Sequence, residues 1–452
     1  MAARKKRVLA PEEQLDAALV PESEWPYEVP ENWCWIHWGF AGEFVAGSGF
    51  KNAYQGFADY EIPFYKVGSL KYADSDGYLY DTSNTVNEEM RGKLKAALIP
   101  PNSILFAKIG EAIRLNRRRL NSVPCCIDNN MMAFIAHACD YKYAFYWSQH
   151  IDMYELTNAT TVPAIRKTDL EAVPFPLPPL PEQKRIVSRI EWHFAKLDDA
   201  EAELREVIDS SEQRQAAILH SAFSGKLSES WRTMHNVNQD TWTVKRFDEV
   251  AYIRSNLVDP ETFADYPHIA PDNIEKKTGT LLPYRTIGED GVTSGKHHFY
   301  PGQILYSKIR PYLSKAVLVD FEGLCSADMY PIEAIEDTRY LWYYILSEDF
   351  LEQTYSAGSR TVLPKINQKG LSAIKVPIPT EAEQRFISKA LDTYFESSRE
   401  AESQVMEALQ QIQSLRRTIL AKALRGKLGT SDPDEPSSKE LLASILSGNV
   451  GK

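Results

Sequence analysis

Two stretches of equal length decide the fold of this 452-residue chain. Residues 182–227 read EQKRIVSRIEWHFAKLDDAEAELREVIDSSEQRQAAILHSAFSGKL, and residues 383–428 read EQRFISKALDTYFESSREAESQVMEALQQIQSLRRTILAKALRGKL. The two stretches align without a gap over 46 positions, of which thirteen are identical. Repetition at this distance indicates that the chain is built twice on one plan. Because no insertion separates the copies, the physical length of this element matters.

Each stretch is predicted to form one uninterrupted helix. Neither Pro nor Gly, the chief helix breakers, occurs in residues 182–224 or in residues 383–425. Thr380–Glu383 has the spacing of an N-terminal capping box, and Gly225 and Gly426 are typical C-terminal stops. At 1.5 Å per residue each helix would be roughly 65 Å long, which is far more than a globular domain needs.

Apolar residues recur at intervals of seven along both stretches, with Ser211 interrupting the first series and Ser398 the second. Further apolar residues widen each stripe, a pattern typical of helices that pack along their length. If the two helices packed only against each other as an antiparallel hairpin, this would explain the seam formed by the apolar residues at intervals of seven. The additional apolar residues that widen each stripe suit contact with helices of a partner subunit. The residues assigned to helix packing and a subunit interface are Ile190, Phe194, Leu197, Leu204, Ile218, Leu391, Phe395, Val405, Ile412 and Ile419.

Two larger segments, residues 25–180 and 241–379, are predicted to be globular modules. Their short aromatic and β-branched runs, broken by Gly, Pro, Asn and Asp, predict strands mixed with shorter helices. Both contain one motif, which reads PNSILFAKI at 101–109 and PGQILYSKI at 301–309, and both end in a proline-spaced run. Elsewhere they diverge, which suggests two modules that read different versions of one kind of target. The predicted fold class is α/β: two globular domains joined by two long antiparallel helices in a pseudo-twofold repeat.

The composition limits the chemistry that this chain can perform. Apolar residues make up 43% and charged residues 25%, the ordinary balance of a globular protein. No run of about eighteen apolar residues occurs, so no membrane span is expected. Five cysteines without a C-x-x-C pair favour a reducing cytoplasm. Because phosphate-binding loops and metal-ligand spacings are also missing, no catalytic residue and no metal site are predicted.

The charge of the chain at first speaks against nucleic-acid binding. The net charge is −11, and residues 25–176 and 241–377 each carry −3. Basic residues nevertheless cluster in both modules, and a clustered face can suffice because phosphate contacts supply affinity and base contacts supply specificity. The DNA-binding candidates are Lys108, Arg114, Arg117, Arg118, Arg119, Arg166 and Lys167 in the first module, and Lys308, Arg310, Tyr312, Lys315, Arg360 and Lys365 in the second.

Each basic group has a specific reason for its selection and a plainer alternative. Arg117–Arg119 reads as an exposed basic run, although a solvated loop would look the same. Lys308 and Arg310 alternate with an apolar residue and so should share one strand face. Arg360 follows a glycine in a loop tip suited to phosphate or guanine contact. Tyr312 could stack on a base or simply pack against the module.

The alternation of divergent module and long helix resembles the specificity subunit of a type I restriction-modification enzyme. The most family-like pieces are SKIRPYLSK at 307–315, Glu182-Gln183, YEVPENW at 27–33 and the two Gly-Lys-Leu endings. The resemblance covers about Pro21 to Leu428. With it the chain divides into an N-terminal arm 1–24, target recognition domain 25–180, central spacer helix 181–227, linker 228–240, target recognition domain 241–379, C-terminal spacer helix 380–428 and flexible tail 429–452.

The resemblance implies a cytoplasmic sequence reader that has no catalytic site of its own. Each target recognition domain would contact one half of a split double-stranded DNA site, and the helices would set the spacing and dock two methyltransferase subunits. Those subunits would bring S-adenosylmethionine to modify adenine, and two nuclease-translocase subunits using ATP and magnesium can join them. The chain itself would bind no cofactor. The alternatives are a coiled-coil scaffold whose modules bind peptides or sugars, and an enzyme with an unrecognised active site.

Overall fold

The computed structural model describes residues 11–157, 162–357 and 364–446. The chain divides into two compact units. Unit 1 combines Met1–Ala202 with Leu409–Lys452, and unit 2 is Glu203–Ala408. Each unit therefore contains one predicted module and a part of each long helix.

The elements of unit 1 form an α/β module. Its strands are β1 Cys34–His37, β2 Gly42–Ala46, β3 Ile62–Tyr65, β4 Thr85–Val86, β5 Ile104–Ala107, β6 Arg118–Leu120, β7 Cys126–Ile127, β8 Met131–Ala136 and β9 Pro174–Leu177. Its helices are α1 Pro11–Ala18, α2 Glu88–Leu94, α3 Tyr141–His150 and α4 Lys167–Glu171. The first long helix, α5 Leu180–Asp209, also begins in this unit.

Unit 2 repeats this plan. Its helices are α6 Ser211–Phe223, α7 Glu229–His235, α8 Phe247–Val250, α9 Ile287–Asp290, α10 Thr338–Ile345, α11 Glu348–Ala357 and α12 Gln368–Ser372. Its strands are β10 Thr243–Arg246, β11 Ala251–Ile253, β12 Leu257–Val258, β13 Pro267–Ile269, β14 Arg285–Thr286, β15 Lys296–Phe299, β16 Ile304–Ser307, β17 Ala316–Leu318, β18 Gly323–Cys325, β19 Met329–Ala334 and β20 Lys375–Ile378. The second long helix, α13 Glu381–Ala423, begins here, and α14 Ser438–Leu446 belongs to unit 1.

The two units share one sheet plan, although the second sheet has three strands in unit 1 and five strands in unit 2. A four-stranded antiparallel sheet has the order β2-β8-β5-β6 in unit 1 and β11-β19-β16-β17 in unit 2. A parallel pair, β3-β7 or β13-β18, belongs to a second sheet in each unit. The first and last strands of each module pair as β1-β9 and β10-β20. The predicted fold class is therefore confirmed.

The motif shared by the two modules forms a central strand of each four-stranded sheet, β5 in unit 1 and β16 in unit 2. Every residue of β5 and β16 is buried, because both strands are paired on two sides and covered on both faces. Such strands read as continuous apolar runs, so the repeated Ile-Leu-aromatic run identified them. The aromatic runs of α3 and α10 are buried helices that pack in the module cores.

The prediction of two uninterrupted helices is confirmed for the second stretch and wrong for the first. Helix α13 is continuous over 43 residues, but α5 and α6 are separated at Ser210. The Ser210 hydroxyl donates to the Glu206 carbonyl at 2.6 Å, and Arg214 Nη2 donates to the Val207 carbonyl at 2.6 Å. Side chains that compete for helix carbonyls bend or interrupt helices. The sequence contains no Pro or Gly there to announce the break.

The long helices pack antiparallel within each unit. In unit 1, Arg416 of α13 contacts Asp198 and lies 5.1 Å over the Phe194 ring of α5. In unit 2, Ser211 of α6 hydrogen-bonds to Glu402 of α13. Among the residues assigned to packing, the buried ones are Ile190, Leu391, Phe395, Val405 and Ile412, and the half-buried ones are Phe194, Leu197, Leu204, Ile218 and Ile419.

A buried carboxylate joins three segments of unit 2 at the start of α13. Glu383 is fully buried, and its Oε1 accepts hydrogen bonds from Arg232 Nη1 and Ser228 Oγ, both at 2.7 Å. Its Oε2 accepts the indole N–H of Trp242 at 3.1 Å. The predicted capping box is therefore only half formed: the Glu383 N–H donates to Thr380 Oγ1 at 3.4 Å, but the carboxylate turns to Arg232. We call this cluster the unit 2 joint.

The same joint recurs in unit 1 with a different charge balance. Glu182 is fully buried, and it accepts the indole N–H of Trp33 at 2.8 Å and the Thr430 hydroxyl at 3.3 Å. Burial raises the pKa of Glu182, although the hydrogen bonds from Trp33 and Thr430 and the Arg185 charge oppose this rise. Arg185 instead pairs with Glu435 through both guanidinium nitrogens, at 2.7 and 2.8 Å. In both units the hydroxyl, of Ser228 or Thr430, lies just beyond a Gly-Lys-Leu ending.

A flexible tail was expected after Leu428, but the described part of this segment, through Leu446, includes helix α14. Helix α14 packs on α1, and Leu442 is fully buried. The Ser438 N–H donates to the Asn32 carbonyl at 2.9 Å, and the Ser438 hydroxyl lies 3.3 Å from Cys34 Sγ. Nothing local in the sequence identified the surface that receives α14.

Removing the tail after Ser431 is expected to make Cys34 react faster with thiol reagents. Burial raises the pKa of Cys34, so its exposure should lower that pKa and raise the fraction of reactive thiolate. Alkylation followed by peptide mass spectrometry measures the rate. Cys325 in unit 2 provides an internal control that should not change, and Glu440→Ala is a matched exposed substitution. An unchanged Cys34 rate would show that other residues cover the thiol.

Candidate nucleic-acid interface

Each module has a basic segment that begins where its central strand ends. In unit 1, Ile109 and Ala164 form an isolated antiparallel β-bridge, and the Ile165 N–H donates to the Lys108 carbonyl at 2.9 Å. This pairing brings Lys108 next to the segment that carries Arg166. The sequence separates these residues by more than fifty positions, so the fold assembles one cationic site from two candidates.

Unit 2 makes the matching arrangement. Ile309 bridges to Lys365, and the Ile366 N–H donates to the Lys308 carbonyl at 2.9 Å. Lys365 is exposed and pairs with Asp328 at 2.9 Å, while Lys308 Nζ lies 5.1 Å over the Tyr330 ring. We call Lys108 with Arg166, and Lys308 with Lys365, the basic segments of their modules.

The electrostatics of the second basic segment favour an anion. Partial burial, followed by the nearby Lys365 charge, lowers the pKa of Lys308. Two ammonium groups that repel each other are stabilised when a negative group such as a phosphate binds between them. Surface cations such as the exposed Lys365 supply sequence-independent affinity for the DNA backbone.

Three further candidates lie at the surface of unit 1. Arg166 is exposed at the start of α4, and Lys167 forms a weak pair with Glu171 at 3.6 Å. The exposed Arg114 pairs with Glu111 at 2.8 Å, and its guanidinium lies 3.7 Å over the Tyr154 ring. A stacked guanidinium is held in one plane, which suits recognition of a base edge or a phosphate.

The expectation of an exposed Arg117–Arg119 run is wrong. Only 1% of Arg118 is exposed, and its guanidinium donates to the Ile151 carbonyl at 2.6 Å and to Asn116 Oδ1 at 2.7 Å. Burial lowers the pKa of Arg118 to about 9. Arg117 and Arg119 are half-buried, and Arg119 donates to the Arg118 carbonyl at 2.7 Å. Arg118 is thus part of the module core, because its strand β6 packs against the segment after α3.

The second module requires two more corrections. Lys308 and Arg310 do not share a strand face, because β16 ends at Ser307 and Arg310 has a left-handed backbone. Lys315 is largely committed within the module, since its Nζ donates to the Pro271 carbonyl at 2.6 Å. Tyr312 is 40% exposed on a 3-10 turn at Pro311–Leu313. Arg360 lies outside the described residues.

Sequence reasoning missed the turn that supports each basic segment. The Lys108 N–H donates to the Asn130 carbonyl at 2.8 Å, and the Lys308 N–H donates to the Asp328 carbonyl at 3.0 Å. Both turns directly precede the strand that pairs with the central strand. The repeated Asn/Asp-Met pair at 130–131 and 328–329 was the available signal. No group of residues suited to holding a metal ion occurs in the described ranges, and none of the helices described there is long and apolar enough to cross a membrane.

Comparison with known proteins agrees with this architecture. The family model for the type I restriction modification DNA specificity domain matches residues 50–210 and 239–411. The EcoDI type I restriction enzyme specificity subunit of Escherichia coli is 38% identical over 329 residues, covering 67% of this chain and 74% of the relative. The EcoKI specificity subunit of Escherichia coli strain K12 is 24% identical over 317 residues, covering 64% of this chain and 66% of that relative.

Solved structures share the fold over most of the chain. The HsdS subunit of Thermoanaerobacter tengcongensis matches with a TM-score of 0.58 and 17% identity, covering 90% of this chain and 100% of that chain. A chain from a structure on complex assembly and conformational transition of the type I R-M system matches with a TM-score of 0.67 and 17% identity, covering 89% and 100%. The duplicated α/β modules and long helices define a specificity-subunit architecture. The chain belongs to the type I restriction-modification specificity family, whose role is DNA sequence recognition.

Proposed function

We propose that this chain binds a bipartite double-stranded DNA site, with one module on each half, and directs methyltransferase subunits to it. The carrying observation is that, in both modules, the lysine after the central strand pairs through its backbone with a returning segment that carries another cation: Arg166 near Lys108, and Lys365 near Lys308. Two equivalent readers suit a site made of two parts, as in dimeric DNA-binding proteins. Membership of the specificity family supports DNA as the target.

The charge balance indicates that the chain binds DNA weakly on its own. Each module has a net charge of −3 despite its basic segment, so few phosphates can be neutralised. Two methyltransferase subunits would supply further contacts around the duplex. Assembly with those subunits is therefore part of the proposal, and affinity should be measured on the complex.

The long helices offer surfaces for these partners. Apolar side chains that the single chain leaves exposed include Trp192 and Leu415 in unit 1 and Val207 and Met406 in unit 2. These side chains are not buried by the packing of the long helices on each other. Their exposure supports the expectation that the additional apolar residues of each helix contact helices of a partner subunit. We assign this exposed set to methyltransferase docking.

The chain contributes recognition to the complex and no reacting group. S-adenosylmethionine would enter with the methyltransferase subunits, whose product is methylated adenine. In a complex that also restricts DNA, two nuclease-translocase subunits would bring the ATP and magnesium chemistry. The complex would act in the cytoplasm, where its DNA substrate lies.

Methyl transfer to DNA is expected only when this chain and the methyltransferase of its system are combined. Labelled methyl donor and random DNA give the activity, and mapping the methylated adenines should give two short sequences at a constant separation. Each protein alone is the control. Transfer by this chain alone would indicate an active site in it. Methylation without sequence dependence in the combined reaction would favour the scaffold alternative.

A further inference from the structure

Arg310 lies where the fold requires a left-handed backbone. Its φ is +49° and its ψ +57°, and Gly110, at the matching position of unit 1, also has a positive φ, +89°, but with an extended ψ of 179°. Both residues are held by the same contact: the Arg310 N–H donates to the Pro364 carbonyl and the Gly110 N–H to the Pro163 carbonyl, each at 2.8 Å. Glycine adopts this region freely, whereas other residues are strained in it. Unit 2 thus keeps an arginine where its own repeat shows that glycine fits.

The Arg310 side chain is not used to hold the module together. It is exposed, and no ion pair to it is found among the described residues. Two other exposed arginines of the module are paired: Arg246 with Asp248 and Arg254 with Glu333, both at 2.8 Å. A strained backbone without a structural contact for the side chain indicates a functional reason for the residue.

The loop that presents Arg310 is pinned at several points. The Leu313 N–H donates to the Arg310 carbonyl and the Ser314 N–H to the Pro311 carbonyl, both at 2.9 Å. Pro311 is buried, and the Leu313 carbonyl accepts the Lys277 N–H at 3.1 Å. The side chain therefore starts from a fixed backbone, which is what precise recognition needs.

Arg310 and the lysines near it suit different contacts with DNA. Lys308 and Lys365, which form the basic segment next to it, suit phosphate contacts, and these fix the position of a protein on the duplex. Arg310 is then available to reach past the phosphates to the edge of a base. The planar guanidinium matches the O6 and N7 acceptors of guanine in the major groove, and no other base presents that pair of acceptors.

We propose that Arg310 reads a guanine in the half-site bound by the second module. The inference rests on the proposed function, which assigns DNA half-sites to the modules. Unit 1 has glycine at this position, so the first module must read its own half-site with other residues. The position that requires a guanine in the second half-site should therefore have no such requirement from Gly110 at the corresponding position of the first half-site.

The test compares Arg310→Lys and Arg310→Gly with wild type in the complex with the methyltransferase. Methylated sites selected from random DNA report the base preference at each position. Preference for guanine at one position of one half-site should fall roughly 10-fold to 100-fold, with the other half-site and the separation unchanged. Arg310→Gly should fold at least as well as wild type in thermal unfolding, because glycine adopts the positive φ of this position without strain. Arg254→Lys, which changes a paired arginine of the same module, should leave all preferences unchanged.

The outcomes separate this inference from the proposed function. If wild type reads two half-sites and the Arg310 variants keep every preference, Arg310 does not read a base. A uniform loss of affinity over all sequences would assign Arg310 to a phosphate and also overturn the inference. If the wild-type complex shows no sequence preference at all, the proposed function itself fails.

Discussion

Arg232→Ala is expected to destabilise unit 2 by about 3–5 kcal/mol. The substitution would leave the Glu383 carboxylate buried without its cation, and removal of one partner of a buried ion pair has a cost of this size. It would also remove the hydrogen bond from Arg232 to the Gly225 carbonyl, which is 2.7 Å long. Chemical denaturation gives the free energy of unfolding, and hydrogen exchange in the first turn of α13 should report the same loss locally.

Two variants make this prediction specific. Arg246→Ala removes an exposed, solvent-screened ion pair with Asp248 and should change the free energy of unfolding far less than Arg232→Ala does. Arg232→Met combined with Glu383→Leu removes both charges and should recover much of the stability, because no unpaired charge stays buried. A cost below about 1 kcal/mol for Arg232→Ala would show that water reaches the unit 2 joint and replaces the guanidinium.

The repeat made the architecture predictable from one sequence. The two copies of the chain carry the same apolar patterns, and these patterns predict the long helices and the central strands. A fully buried strand such as β5 or β16 can be predicted because its own residues are all apolar or small. The break at Ser210 was not predicted because it depends on which backbone carbonyls accept hydrogen bonds from the Ser210 and Arg214 side chains. The docking of α14 depends on a surface formed by residues far away in the chain, including Asn32.

The candidate interface was predictable only in part, for the same reason. Lys108 and Lys308 follow a recognisable strand, and Arg166 and Lys365 lie in the repeated segment that returns to it, although Lys365 itself matches Ala164. The burial of Arg118 could not be read from its neighbours, because the Ile151 carbonyl that accepts its hydrogen bond is 33 residues away. A charged residue looks the same in sequence whether the fold turns it to solvent or to a carbonyl.

Replacing residues 243–378 with the equivalent segment of a relative of different specificity is expected to exchange one complete half-site. These limits follow the structure: β10 and β20 pair with each other, from Thr243 with Ile378 to Arg246 with Lys375. Trp242 and Glu383 stay in place, so the unit 2 joint is retained. Since each wrong base pair costs roughly 1–3 kcal/mol, preference for the original half-site should fall by about a thousandfold over three positions.

The opposite exchange provides the control, because replacing residues 34–177, from β1 to β9, should change only the other half-site. Mapping methylated adenines on random DNA reads both half-sites and their separation in one experiment. Independence is expected physically: the core of each module is closed by its own first and last strands, and its basic segment is built from its own residues. A change in both half-sites after either exchange would show that the modules read DNA jointly. A changed separation with intact half-sites would show that the modules, and not the long helices alone, set the distance between the recognised sequences.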